Sequence, residues 1–450
     1  MVKSTTKQLV HADFGDVKII DKHPGITKSQ VLSSHPLSIP RGLHNTSLTT
    51  LDEKAAYVAE FVERQKEEGI YPLDRYIETN FGFNAEIAAA PSKTTQDCVV
   101  WCTNLYLGLN RRQETIDIVK ESLSKHGLGC GTSAVSGGFH RPHIELEQNI
   151  STFLGKEDCV LFPTGFSANL GALSALVDKN DYVLFDRDCH SSIIEGLKLS
   201  GAPFRSFRHN SVEHLRKMLE KTDFTKYNNV LVVTESVFGM SGLEAPLSEI
   251  AALKKEFPFY FYVDEAHSFG LYGPNGEGLS KAQNCLDDVD FFMTTLSKAA
   301  GSIGGIIACK KTHGTYIRHV SNAYLFQATL PPTDILTSIE SLRVIQTQPE
   351  LRQRLWNNTA KFRKALKEKG FNVGDSTSAN VPVYIEDEVD LAQMCKELFQ
   401  LGVFTNWVSY PAVKKRTGRL RFNVSAGHTD KQIELTINAL EKAGKKIGIV

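Results

Sequence analysis

From residue 158 onward, short apolar runs alternate with stretches of helical spacing. CVLFPT is followed by ANLGALSAL, DYVLFD by IIEGLKLS, FRSFRHN by a further helical stretch, and NVLVVTES by LSEIAALKKEF; FYFYVDE, FFMTTLS and GGIIACK then follow in succession. NVLVVT and FYFYVD are apolar on both faces, the mark of parallel strands covered by helices on each side. The pattern predicts an α/β body that begins with strand-like VVWCTNLYLGL (99–109) and a helix over about 114–125, and that ends near Pro331-Pro332. Beyond it, long helical segments give way to the short alternating pieces NVPVYIED, GVFTNWV and RLRFNVS, which predict a separate, smaller α+β unit. Upstream, Ala55, Val58, Ala59 and Val62 recur at i, i+3, i+4, i+7 within 51–68, one apolar helix face stopped by Gly69. Residues 1 to about 50 show no such period and read as an extended arm of the kind that lies across a partner subunit. The expected divisions are 1–98 (arm and helix), 99–335 (large α/β domain) and 336–450 (small α+β domain).

Composition narrows the field of partners. Fifty-one Lys plus Arg balance fifty-one Asp plus Glu, so the basic surplus of a nucleic-acid or anionic-membrane binder is absent. A hydrophobic content of 41% with 23% charged residues belongs to an ordinary globule. No window is long and apolar enough for a transmembrane segment, and MVKSTTKQLVHADFGDVK lacks the apolar core of a signal peptide, so a cytoplasmic location is expected. The eight cysteines have no C-x-x-C or paired spacing, and reduced thiols are expected.

The chemistry gathers at predicted strand ends, where α/β sheets present ligands. In FYFYVDEAHSFG (259–270), Asp264-Glu265-Ala266-His267 spells the acidic motif of DEAH-type nucleotide-driven enzymes. That reading also requires G-x-x-x-x-G-K-[ST], and the chain has no Gly-Lys-Ser or Gly-Lys-Thr. The competing reading pairs the same strand end with TTLSKAAGSIGG (294–305), where Lys298 is flanked by small residues and preceded by the hydroxyls of Thr295 and Ser297. Pyridoxal phosphate needs a carboxylate for its pyridinium nitrogen and a lysine for its aldehyde; Asp264 and Lys298 supply both in that order. In FPTGFSAN (162–169), Thr164, Gly165 and Phe166 fall between a strand and a helix, where free backbone N–H groups hold phosphates. His190, in DRDCHSSIIEG (186–196), sits at a strand's carboxyl end, either as a structural histidine or stacked on a planar cofactor ring.

Other candidates lack their context. Gly127, Gly129 and Gly131 imitate a dinucleotide fingerprint, but a helix rather than a strand precedes them, so a substrate-side loop is expected. His140-x-x-His143 has no third ligand at a zinc-like spacing, and a local structural role is expected for it and for Cys98-x-x-x-Cys102. No G-x-S-x-G is present.

Taken in order, NLYLGL (104–109), HIELE (143–147), TGFSAN, DRDCHSSI, RHN (208–210), TESVFGMSG (234–242), VDEAHSFGLYGPNGEG (263–278), TTLSKAAGSIGG, TLPP (329–332) and RLRFNVSAGHT (419–429) resemble the α-oxoamine synthases, fold-type I pyridoxal-phosphate enzymes. The resemblance spans about 99–445. It implies the aspartate aminotransferase-like fold and a homodimer with shared active sites. The implied reaction is a decarboxylating condensation of an amino acid with an acyl-CoA or acyl-carrier thioester. By resemblance, Lys298 binds the pyridoxal 5'-phosphate and moves the α-proton, Asp264 meets the pyridine nitrogen, His190 stacks on the ring, and His267 hydrogen-bonds its phenolic oxygen. Thr164, Gly165, Phe166 and Thr295 match cofactor-binding positions, and Asn104 and Arg421 are the candidates for the substrate carboxylate. Arg419 and Arg421 lie two apart on one strand face, so periodicity does not choose between them. NWVSYPAV (406–413) lacks the arginine found there in 8-amino-7-oxononanoate synthases and looks more like serine palmitoyltransferases. Gly239 replaces a serine common after the Phe of TESVF, and Gln327-Ala328 replaces the usual Ser-Thr before the Pro pair. The expected substrates are L-serine and an acyl-CoA, with glycine, alanine or 2-aminobutyrate acceptors, or a plain aminotransferase, as the alternatives.

Overall fold

The computed structural model describes residues 49–450 apart from 68, 70, 72–74, 90–93 and 411. The expected arm over residues 1 to about 50 therefore lies almost wholly outside the described residues. The helix Leu51–Glu67 forms where the apolar spacing places it, with Asp52 and Glu53 in its first turn facing the positive end of the helix dipole.

The stretch after this helix differs from expectation. Three strands, β1 (Arg75–Phe81), β2 (Asn84–Ala89) and β3 (Thr94–Val100), pair antiparallel in sequence order. Polar and apolar residues are mixed along them, which hides the alternation of a half-buried sheet. The strand expected over 99–109 is in fact the end of β3 followed by a loop. Trp101 N–H still bonds Phe404 O at 2.8 Å, but the chain then turns inward, and Gly108 adopts φ 67° before a short 3-10 turn at Leu109–Arg111.

Seven strands follow: β4 (Asp158–Phe162), β5 (Tyr182–Asp186), β6 (Phe204–Phe207), β7 (Val230–Glu235), β8 (Tyr260–Asp264), β9 (Phe291–Thr295) and β10 (Gly305–Cys309). Their order is β4-β10-β9-β8-β7-β5-β6, and only β10 runs against its neighbours. Every residue of β7, β9 and β10 is buried, as a sheet covered on both faces requires. Since β10 is antiparallel to both β4 and β9, the remaining six strands all point the same way. Their carboxyl ends therefore line one edge of the sheet.

Helices Pro332–Thr347 and Pro349–Glu368 lead away from this sheet, and residue 335 falls in the first turn of the former. The C-terminal strands are β11 (Asn380–Tyr384), β12 (Val403–Phe404), β13 (Asn406–Val408) and β14 (Arg419–Asn423). GVFTNWV, read as a single piece, divides at Thr405: β12 joins β3, whereas β13 joins β14 in the antiparallel sheet β11-β14-β13. Trp101 anchors this region, stacked between Phe362 (4.6 Å) and His428 (4.0 Å), with Nε1 donating to Thr436. Burial pushes His428 down to about 4, so its ring packs as a neutral group. No helix among the described residues is long and apolar enough to cross a membrane.

Candidate active site

The common edge of the large sheet gathers the residues singled out in the sequence. The turn after β4 carries Thr164 as N-cap of the helix Gly165–Leu176, its Oγ1 accepting from Ser167 N–H at 3.0 Å. With that hydroxyl used to cap the helix, the backbone N–H groups of Gly165 and Phe166 are the ones left without intrahelical acceptors. A Cβ on Gly165 would lie 2.9 Å from Thr295 Cβ, so the absent side chain is what lets this helix start meet the end of β9. Thr295 Oγ1 bonds Gly304 O and Ser297 Oγ, each at 2.8 Å, and Ser297 itself is exposed at the edge. Two N–H groups and a pair of hydroxyls thus lie together at this edge, an arrangement able to hold a phosphate.

Asp264, the last residue of β8, is buried and held on both oxygens: Oδ1 accepts from Ala266 N–H at 2.9 Å and Oδ2 from Asn169 Nδ2 at 2.8 Å. Asn169 also donates to Ser192 Oγ at 3.0 Å and accepts from the Tyr262 hydroxyl at 2.7 Å, so its amide is spanned by three partners. Ser192 is in turn 2.7 Å from His190 Nδ1, and His190 caps the helix Ser191–Ser200. Burial lowers the pKa of His190, with Lys298 adding to the effect and Asp264 opposing it. Glu235, across from Asp264 in the β7–β8 pairing, accepts from His190 N–H at 2.5 Å; burial and then Asp264 push its pKa well up.

Lys298 is half-buried just past β9. Burial lowers its pKa from 10.5 to about 8, aided by Arg421 and opposed by Asp264 and Glu235. Arg421, on β14, donates from Nη2 to Asn104 Oδ1 at 2.7 Å, while its Nε is buried without a partner. Arg419 is engaged elsewhere: its guanidinium lies 4.6 Å from the Tyr384 ring centroid and donates to Met240 O and Thr417 O. The two arginines that periodicity left equivalent are therefore separated by their partners.

The remaining candidates resolve as packing. His143 accepts from His140 N–H through Nδ1 and reaches Leu330 O through Nε2, so the His-x-x-His pair clamps a helix start. No cluster of metal-ligating side chains is present among the described residues, and all eight cysteines are free thiols. Sequence reasoning did not single out Asn169, Ser192, Glu235, Tyr106 or Asn380. Asn169 closes the TGFSAN motif and Tyr106 lies inside NLYLGL, so the signal was present as motif membership but carried no charge to draw notice.

Residues 96–440 match the family model of aminotransferase class I and II. The chain is 36% identical over 393 residues to a serine palmitoyltransferase of Sphingomonas paucimobilis, covering 86% of this chain and 92% of that one. It is 33% identical over 396 residues to an 8-amino-7-oxononanoate synthase of Treponema denticola, covering 86% and 97%. This chain is an α-oxoamine synthase. Among solved structures, the Sphingomonas wittichii serine palmitoyltransferase superposes with a TM-score of 0.85 at 30% identity, over 90% of this chain and all of that one. The S. paucimobilis enzyme with bound PLP and myriocin superposes at 0.84 and 34% identity, with the same coverage. The α-oxoamine synthase is accordingly a pyridoxal-phosphate-dependent acyltransferase of fold type I. Its residues suit that cofactor: a cradle that a Cβ at 165 would fill, a doubly held carboxylate at Asp264, and an amine close to its free-base range.

Proposed function

We propose that this synthase joins the α-carbon of L-serine to the acyl group of a long-chain acyl-CoA, releasing carbon dioxide and CoA and leaving an α-amino ketone of the sphingoid-base type. The observation that carries the amino-acid half is Arg421: its bond to Asn104, its unpartnered Nε and its influence on Lys298 suit a carboxylate arriving beside the lysine. Serine is favoured by the serine palmitoyltransferase relatives and by 406–413, which lacks an arginine.

The cofactor supplies an electron sink conjugated to the amino acid's α-carbon. Lys298 would be its attachment point and would serve as the base at the α-hydrogen; an amine depressed toward neutrality holds a free lone pair for that role. Asp264 would meet the pyridine nitrogen, and the two N–H donors on its oxygens fix the carboxylate in place. The amides of Gly165 and Phe166, with the hydroxyls of Thr295 and Ser297, would hold the phosphate end, and Thr164 caps the helix that presents those amides. His190, neutral and tied through Ser192 and Asn169 to the same network, would cover one ring face. Arg421 and Asn104 orient the carboxylate until it leaves. A homodimer with shared active sites belongs to the same reading: Phe166, Ile303 and Phe326 are exposed apolar side chains on segments bordering the site.

The test is a panel of serine, glycine, alanine and 2-aminobutyrate against acyl-CoAs of several lengths, read by CoA release and product mass. Serine with a long-chain acyl-CoA is the expected pair. A preference for glycine, alanine or 2-aminobutyrate would refute the serine reading, and amino-group transfer without CoA release would refute the condensation.

A further inference from the structure

His267 stands where three segments distant in sequence meet. Its Nδ1 is 2.7 Å from the Tyr106 hydroxyl, which donates to Asn380 Oδ1, also at 2.7 Å. A phenol has a single hydrogen. With that hydrogen directed to Asn380, the Tyr106 oxygen at 2.7 Å accepts from the imidazole and Nδ1 carries the ring proton, while Asn380 Nδ2 stands off from Nδ1 at the longer 3.4 Å. Burial depresses the pKa of His267 well below its usual range, as do Lys298, Arg421 and His190, so the ring is neutral and Nε2 keeps its lone pair. On the far side of the ring, a Cβ at position 239 would overlap His267 Nε2, and only glycine leaves the imidazole where it is. Tyr106 is fully buried, and Asn380 opens β11, the strand paired with the one that carries Arg421. The contacts around His267 therefore reach from the small sheet to the large one.

We propose that Tyr106, Asn380 and Gly239 are positioning residues for His267, fixing the Nδ1–H tautomer and the ring plane so that Nε2 faces the cofactor site as a hydrogen-bond acceptor. The serine expected at position 239 from the family resemblance is thus replaced by space, and the hold on the histidine passes to its other nitrogen. The reverse orientation of the Asn380 amide would direct the Tyr106 proton to Nδ1 and make Nε2 the donor, so the two arrangements have opposite, measurable signatures. The inference rests on the α-oxoamine synthase site, but not on which amino acid or acyl donor is used.

The experiment is histidine nitrogen NMR on the cofactor-free full chain labelled with 15N-histidine, with His267 assigned by His267→Gln, alongside the dissociation constant for pyridoxal phosphate. At neutral pH, a protonated Nδ1 and an unprotonated Nε2 are expected. Tyr106→Phe should mix the tautomers and weaken cofactor binding about five- to tenfold, the scale of one buried hydrogen bond. Asn380→Asp, which keeps an acceptor for Tyr106, should preserve the tautomer, whereas Asn380→Ala should lose it. Gly239→Ala should shift both His267 nitrogens. Circular dichroism melts check each fold; if Gly239→Ala does not fold, Tyr106→Phe, which removes a single oxygen, decides the matter. A protonated Nε2 in the unaltered chain, or unchanged shifts and affinity in Tyr106→Phe, overturns the proposal. Failure of the amino-acid panel with these results intact would refute the serine reading alone.

Discussion

Asn169→Ala removes, in one step, a bond to a buried carboxylate and two bonds to hydroxyls. A hydrogen bond to a charged group contributes ~1.5–3 kcal/mol and a neutral one ~1 kcal/mol; leaving the buried Tyr262 hydroxyl without a partner adds a penalty within ~1–3 kcal/mol. Because these terms overlap, a total of about 4 kcal/mol is expected. Unfolding entropy of ~2.1 cal/mol/K per residue gives about 0.9 kcal/mol/K for a chain of this length, so the melting temperature of the cofactor-free protein should fall by about 4 °C at a fixed scan rate. Part of that loss is the stranded hydroxyl, which Tyr262→Phe removes. The double variant Asn169→Ala/Tyr262→Phe should therefore melt above the sum of its single changes by about 1–2 °C. The Asp264 carboxylate also loses one of its two donors, and pyridoxal-phosphate affinity should drop about tenfold, the equivalent of ~1.4 kcal/mol. Strictly additive melting shifts, or an Asn169→Ala protein that melts and binds cofactor like the parent, would refute the bridging role.

Lys298→Ala should abolish the borohydride-reducible cofactor linkage, and peptide mapping that finds reduced cofactor on another lysine would overturn the assignment. In cofactor-free protein, burial of Lys298 favours the free amine, so reaction with an acylating reagent should rise with pH to half its maximum near about 8; a half-maximum near 10.5 would contradict the burial argument. Arg421→Ala should weaken serine binding about tenfold or more in a spectral titration while cofactor loading is retained, and Arg421→Lys should recover only part, because a bidentate bond is lost. Arg419→Ala, which breaks the Tyr384 and Met240 contacts, should lower stability and leave serine affinity unchanged. Gly165→Ala should weaken phosphate and cofactor binding together by forcing the helix start away from Thr295, as measured by equilibrium dialysis.

The large sheet was legible because its central strands are buried on both faces and so appear as unbroken apolar runs, and because its chemistry sits at strand ends, where motif and strand boundary coincide. Lys298, Asp264 and His190 carry charge or a titratable ring, and the folded chain gathers them on one sheet edge. β1 and β2 were missed for the opposite reason: RYIETNF and NAEIAA mix polar and apolar residues with no unbroken apolar run, and their partner β3 borrows its last neighbour, β12, from a segment about 300 residues later. The choice between Arg419 and Arg421 was invisible because a two-residue period places both on one face. Only the tertiary partners, Asn104 against Tyr384, divide them.

The electrostatic design of the site follows from burial more than from composition. Glu235 is pushed toward its neutral acid, His190 and His267 toward neutral imidazole, and Lys298 toward the free amine. Each shift has desolvation as its first cause, and each reduces the charge that the cavity must hold before its ligands arrive. The groups with dedicated charged hydrogen bonds are the Asp264 carboxylate, fixed by Ala266 and Asn169, and the Arg421 guanidinium, bound to Asn104 but with Nε unpartnered. A carboxylate docking at Arg421 would offset one of the influences that hold Lys298 down, leaving burial opposed by Asp264 and Glu235 and raising the amine's proton affinity. In the proposed reaction, substrate binding and the readiness of Lys298 to take up the α-proton would then be linked through a single arginine. A Lys298 titration in cofactor-free Arg421→Gln should show that link as a higher midpoint than in the parent; a midpoint that stays at about 8 would break it.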